Sequence, residues 1–252
     1  LYRVNNLKTQ TEPECIIPNE NIYSLYKDSR KRMWVAAFRR GMFKIENDTY
    51  TRYSAGKEGE LSNNDIRGFV EDNLGNIWVS TFDGLNKIDK QDKITSYKKD
   101  LLSGGLKHSS IFALYKDSQG TIWIGTYYGG IHYFNPEMDI FTHYSEDVER
   151  SDCLSFFFIG KMIEDKRGDV WICTEGGGLN HLNRQTGKIT HYLADGKPGS
   201  IPFNNLKCNA YDDKADRLYV GTHTRGLFCF DILIRHVVSP YLPDSTLFSL
   251  PA

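Results

Sequence analysis

An aspartate followed six residues later by an aromatic ring recurs five times in this chain, as Asp28/Trp34, Asp72/Trp78, Asp117/Trp123, Asp165/Trp171 and Asp213/Tyr219. The steps between copies are 44, 45, 48 and 48 residues, and all four tryptophans of the chain fall at this one position. Such a period marks a repeat architecture, whose units bury their apolar faces only by stacking on neighbours of their own kind. One unit is legible in full between Ile111 and Tyr144. Ile111–Tyr115 alternates into the turn composition Lys116–Gly120, and Thr121–Thr126 is β-branched and aromatic. Tyr127-Tyr128-Gly129-Gly130 then turns the chain into Ile131–Phe134, and Asn135-Pro136-Glu137 turns it into Ile140–Tyr144. Four short antiparallel strands at this period predict a β-propeller blade.

Full blades are expected at about 21–53, 65–97, 109–144, 158–192 and 205–238. Residues 1–18 match the third and outer strands of a partial blade, and 245–252 open another. Five full blades and two partial ends predict an all-β single propeller segment of a longer protein. An alternative reading joins the two partial ends into a sixth blade. The first hairpin turn, Ser29-Arg30-Lys31-Arg32, lacks the usual glycine. In the fifth repeat Asp212-Asp213 obscures the register by one residue, Asp216 replaces glycine and Tyr219 replaces tryptophan.

Composition narrows the class. The 252 residues are 40% apolar and 13% aromatic, enough for a substantial core. The 31 basic and 32 acidic residues are interspersed, and the short run Arg30-Lys31-Arg32 sits in a turn, so no nucleic-acid partner is expected. No apolar stretch is long enough to span a membrane and no signal peptide is read, so membrane attachment is expected only through other parts of the protein. Cys15, Cys153, Cys173, Cys208 and Cys229 have no regular spacing, and the last three are expected to be buried thiols in strands. The seven histidines are scattered; His132/His181 and His143/His191 merely share strand positions. No metal cluster and no phosphate loop can be assembled, so neither metal nor cofactor is expected.

The repeated aspartates read as turn residues that accept a backbone hydrogen bond two residues on. Trp34, Trp78, Trp123, Trp171 and Tyr219 read as structural rings packed between sheets. Ligand chemistry is sought instead where a constant frame carries variable side chains. The turn after the second strand carries Arg39 and Arg40, Phe82 and Asp83, Tyr127 and Tyr128, Glu175, and His223 and Arg225. Strand alternation brings these turns to the same end as the approach to each first strand, where Asn21, Asp65, His108, Ser109 and Asn205 lie. Arginine forks and aromatic planes suit the carboxylates, sulfates and ring faces of sugars.

The pattern written almost in full at 109–134, SSIFALYKDSQGTIWIGTYYGGIHYF, and at 160–182, GKMIEDKRGDVWICTEGGGLNHL, resembles the two-component regulator propeller repeat. The resemblance covers nearly the whole chain. It implies a non-catalytic, periplasmic sensor region of a Bacteroidetes hybrid two-component system, joined through a membrane span to a histidine kinase and response regulator. It further implies an oligosaccharide ligand, a homodimeric full-length receptor and control of polysaccharide utilisation. The chain itself holds none of the catalytic or DNA-binding parts. Two other classes compete. A propeller glycoside hydrolase or lyase would need paired inward carboxylates roughly 5–10 Å apart, for which only Glu71 and Glu164, at first-strand ends, stand out. A protein–protein scaffold would present an exposed apolar patch.

Overall fold

The computed structural model describes residues 1–3, 12–57, 59–100, 104–135, 140–144 and 152–241. The strand expected within 245–252 lies outside them. β1 (Tyr2–Arg3) and β2 (Glu14–Cys15) pair antiparallel. The first four-stranded sheet holds β3 (Ile22–Lys27), β4 (Met33–Ala37), β5 (Gly41–Glu46) and β6 (Thr49–Tyr53). The second holds β7 (Ile66–Glu71), β8 (Ile77–Thr81), β9 (Gly84–Ile88) and β10 (Ile94–Tyr97). The third holds β11 (Ile111–Lys116), β12 (Ile122–Thr126), β13 (Ile131–Asn135) and β14 (Ile140–Tyr144). The fourth holds β15 (Ile159–Glu164), β16 (Val170–Thr174), β17 (Leu179–Leu182) and β18 (Ile189–Tyr192). The fifth holds β19 (Leu206–Asp212), β20 (Arg217–Thr222), β21 (Leu227–Asp231) and β22 (His236–Tyr241). Every strand pairs antiparallel with its sequence neighbour, as in a propeller blade. The chain divides into two compact units, Leu1–Tyr97 with blades one and two and Lys98–Ala252 with blades three to five.

Burial follows position in the blade. The second strands β8, β12 and β16 are buried at every residue, whereas four of the five residues of the outer strand β6 are exposed. A strand covered on both faces loses the polar alternation of a half-exposed one, which is why these strands read IWVST, IWIGT and VWICT. In the first unit Trp34, Ala36 and Met42 pack against Ile66, Ile77 and Val79 of the next blade. In the second, Ala113 and Trp123 meet Ile159 and Ile172, and Trp171 and Leu179 meet Leu218 and Phe228.

One polar bond is built into four of the hairpins. The indole N–H of Trp34, Trp78, Trp123 and Trp171 donates to Oδ2 of Asp28, Asp72, Asp117 and Asp165 at 2.9, 2.9, 2.8 and 2.9 Å. The other carboxylate oxygen caps the turn: Asp117 Oδ1 accepts from the N–H groups of Gln119 and Thr121, and Asp72 Oδ1 from Leu74 and Asn76. The six-residue spacing is therefore a hydrogen bond as well as a packing period. Burial pushes the Asp28 carboxyl up, but hydrogen bonds from Trp34 and Arg32 outweigh it and leave its pKa below the usual carboxylate value.

Blade five corrects the sequence alignment. Tyr219 pairs with Ala210 as Trp171 pairs with Ile163, so Asp212, not Asp213, stands at the repeated position. Its carboxylate caps the turn by accepting from Lys214 and Ala215. The turn is one residue longer, with Asp216 at φ 54°. Cys208 also departs from expectation. Cys173 and Cys229 are buried, but Cys208 is exposed. Strand alternation gives the side facing blade four to its neighbour Asn209, whose amide donates to the Trp171 carbonyl at 3.2 Å.

Neighbouring blades are latched by the acid that ends a first strand. Glu71 accepts from the backbone N–H and hydroxyl of Ser29 at 2.8 and 2.6 Å, and Glu164 accepts from those of Ser118 at 2.7 and 2.9 Å. The backbone N–H groups of the same glutamates donate to Tyr26 and Tyr115 hydroxyls. The two acids that suggested a hydrolytic pair are thus committed to holding one blade to the next.

Two outcomes test this frame. Trp78→Phe removes one donor from a buried carboxylate and should cost about 1–3 kcal/mol, read from the urea midpoint. Lys31 adopts φ 67° where the other hairpins have Gly75, Gly120 and Gly168. Lys31→Gly should therefore stabilise the protein by about 0.5–1 kcal/mol in the same assay.

Candidate functional site

At one end of every blade the turn after the second strand is tied to the approach to the first. The N–H groups of Phe38, Phe82, Tyr127, Glu175 and His223 donate to the carbonyls of Asn21, Asp65, Ser110, Phe158 and Asn205, at 2.8 to 3.0 Å. A threonine closes the loop in most blades. Thr126 Oγ1 donates to the Gly130 carbonyl at 2.9 Å and accepts from Gly129 N–H at 2.7 Å, and Thr174 repeats both bonds. The glycine that opens the third strand is obligatory. A Cβ on Gly41, Gly130 or Gly178 would lie 2.3 Å from the carbonyl oxygen of Tyr53, Tyr144 or Tyr192, and all three have positive φ. Backbone groups and the threonine hydroxyl complete this frame without the variable side chains of the turn.

The structure brings only some of the sequence-predicted site residues together. In the second unit Tyr127 and Tyr128 join a ledge of rings that the sequence reading did not assemble. Tyr127 meets Tyr128 and Phe158, both at 4.3 Å between centroids, and Phe158 meets Phe112 at 4.8 Å. Tyr128 meets Phe157 at 4.9 Å, and Phe157 stacks on Phe156 at 4.3 Å. Phe156 rests against the blade-four turn: a Cβ on Gly176 or Gly177 would lie 2.9 or 2.6 Å from it. Those glycines are the seat of a ring. Tyr128 is 56% exposed at the rim, and Glu175, also predicted, pairs with Lys207, whose Nζ lies 5.7 Å from the Phe158 ring centre. His223 and Arg225 are exposed at the blade-five turn, with Arg225 5.9 Å above Phe203. In the first unit Phe38 and Phe82 are 51% and 54% exposed, Arg39 and Arg40 are exposed, and Asp83 is half-buried. The missed residues carried one signal, the run Phe156-Phe157-Phe158 at the approach to the first strand of blade four.

Beneath the ledge, two histidines hold its two loops. His132 Nε2 accepts from Lys107 N–H at 3.0 Å, fixing the approach that carries His108. His143 Nε2 donates to the Gly129 carbonyl at 2.7 Å, fixing the turn that carries Tyr128. The two rings pair across strands and stack at 4.6 Å. Asn86 and Asn180 do the work of His132 in blades two and four, accepting from Ser62 and Ser155. Burial, then the neighbouring His143 and Lys107, push the His132 pKa down to about 3.

Among the described residues one His/Asp group converges: ligand atoms of Asp165, Asp169 and His181 lie within 4.8 Å of one another. Their acceptors already take protein hydrogens. Asp165 Oδ2 binds Trp171 and Arg167, and Asp169 Oδ2 binds His181 and Asn183. A cation there would have to displace the Arg167 guanidinium.

The family model described as Two component regulator propeller matches residues 16–39, 60–83 and 105–128. Each matched stretch contains one Asp–Trp hairpin and ends in the variable turn. An extracellular domain of B. thetaiotaomicron assigned to a hybrid two component system is similar over 88% of this chain, at 21% identity and TM-score 0.74. A second such domain from that organism is similar over 86%, at 24% identity and TM-score 0.70. This chain spans 30% of the length of each. Virginiamycin B lyase of Staphylococcus aureus is similar over 90% of this chain and 73% of its own, at 13% identity and TM-score 0.67. At these identities the likeness is one of fold, the β-propeller. No curated protein sequence matches the chain.

The folded pKa of His132 lies below its ordinary 6.5, so its contribution to stability is complete above about pH 6.5 and is lost as the pH falls toward 3. Over that window His132 should cost about 1.4 kcal/mol per pH unit. His132→Asn, the residue of the sister blades, should flatten the fall in urea midpoint between neutral pH and pH 5 by that slope. An unchanged slope would rule out His132 as the buried titrating group.

Proposed function

We propose that this chain of two component regulator propeller repeats belongs to the extracytoplasmic, periplasmic sensor region of a hybrid two-component system, and that its variable turns bind a glycan fragment. Three observations support the reading: the matched repeats, the B. thetaiotaomicron extracellular domains that share the fold, and the ring ledge of blades three and four. The ledge carries most weight. Partly exposed rings in mutual contact on a loop surface expose apolar area that a soluble surface does not otherwise keep. Flat rings beside phenol hydroxyls offer a sugar both a stacking face and hydrogen-bond partners. At the ledge Glu175 is paired with Lys207, and the first-strand glutamates Glu71 and Glu164 are engaged between blades at the hairpin ends, which favours binding over hydrolysis.

In a homodimeric receptor, binding would bias an arrangement transmitted to a histidine kinase that controls polysaccharide utilisation. The ligand can move that equilibrium only by its difference in affinity for the two states. Titration calorimetry against an oligosaccharide panel tests the reading. Tyr128→Ala and Phe157→Ala should each weaken binding at least tenfold with stability changed by no more than about 0.5 kcal/mol. Full affinity in both variants would exclude the ledge.

A further inference from the structure

We infer that the arginine-bearing turn of blade one is an anion site, and that the saccharide it receives carries carboxylate or sulfate groups. The inference deepens the glycan-sensing reading and rests on it. In the first unit Arg3 pairs with Glu14 and Asp48, Arg32 with Asp28, and Arg67 with Asp65. Arg30, in the hairpin turn, and Arg39, Arg40 and Arg52 are exposed and have no carboxylate partner among the described residues. The last three are gathered at one place. Arg39 and Arg40 form the turn itself, and the Arg52 guanidinium reaches back from β6 to donate to the Arg40 carbonyl at 3.1 Å. Two like charges on the turn and a third that reaches it from β6 repel one another, and that repulsion is relieved when an anion binds beside them.

Backbone geometry marks the same turn independently. Arg39 adopts φ 55°, in the left-handed region, at the place where blade four has Gly176. A long cationic side chain is kept where glycine would be the easier residue, a strain of the kind found at ligand-binding turns. Beside it Phe38 is 51% exposed, with the Arg39 guanidinium carbon 5.2 Å from the ring centre. A ring face next to guanidinium forks matches a sugar ring bearing a planar carboxylate or a sulfate, either of which a guanidinium can bind through two N–H groups. The ledge of the second unit differs, because its Lys207 is already neutralised by Glu175.

The test titrates the full chain with an oligogalacturonate, a sulfated chondroitin oligosaccharide and a neutral cello-oligosaccharide, at low and high salt. At least one anionic ligand should bind more tightly than the neutral one and weaken as salt rises; which of the two binds identifies the group. The double variant Arg40→Ala/Arg52→Ala should raise its Kd about tenfold. Arg39→Gly should raise Kd at least threefold while raising the thermal midpoint, which separates lost recognition from lost folding. Neutral binding as tight as anionic binding, or anionic binding unchanged in the double variant, overturns the anion site and leaves glycan sensing standing. Binding of none of the three overturns both.

Discussion

The indole-to-carboxylate bond inside four of the five hairpins is the interaction on which the blades depend. It joins the tight turn at one end of the sheet to the middle of its most buried strand, and it does so with a carboxylate that is itself out of water. A buried carboxylate is tolerable only when its acceptor positions are filled, so the aspartate, the turn N–H groups and the tryptophan require one another. The consequence is register. A slip of one residue in β8, β12 or β16 would exchange the two faces of a strand packed on both sides, and the tryptophan could then no longer reach its aspartate. Blade five lacks the indole and has a longer turn, and its second strand alternates between buried and half-buried residues where β8, β12 and β16 are buried throughout.

What the sequence disclosed follows from that constraint. Strand positions were legible because the bond demands one spacing, and the spacing survives while most other residues vary. The reading slipped by one residue in blade five for the same reason: two adjacent aspartates were available, and only pairing of Tyr219 with Ala210 decides between them. Cys208 was misjudged because strand membership says nothing about which face a residue takes; the neighbouring Asn209 bond settles that. Of the candidate site, the turns were legible as columns of variable residues. The ring ledge was not, because Phe156, Phe157 and Phe158 stand in the approach columns where blade three has His108, Ser109 and Ser110, and nothing in the repeat says that rings there would meet Tyr127 and Tyr128. The stacked histidines were invisible for another reason: His132 and His143 are eleven residues apart and become partners only through the register of β13 and β14.

The two ends of a blade are chemically unlike, and the frame explains why. At the hairpin end the acids are consumed by structure: four aspartates by indoles and turn amides, and two glutamates by the serines of the preceding blade. Even the convergent Asp165, Asp169 and His181 are engaged by protein donors. At the other end, backbone groups and threonine hydroxyls complete the turn without help from the variable side chains. Substitution at the hairpin end therefore removes a partner from a buried charge, whereas substitution of a variable side chain such as Arg40 at the turn end leaves the turn's own hydrogen bonds in place. Side chains can vary at the turn end because the carboxylate bonds that hold the hairpin lie at the other.

The same backbone tie from turn to approach carries two chemistries. In blades three and four, glycines at the turn make room for rings arriving from the approach strand, so the surface becomes apolar and its one cation is paired. In blade one the corresponding place is filled by Arg39 despite the unfavourable backbone angle, and the surface becomes cationic. The backbone bond from the turn to the approach, Phe38 to Asn21 or Glu175 to Phe158, is the same in both. At that position blade four has Gly176, which seats the Phe156 ring, blade three has Tyr128, which adds a ring of its own, and blade one has Arg39, which offers a charge.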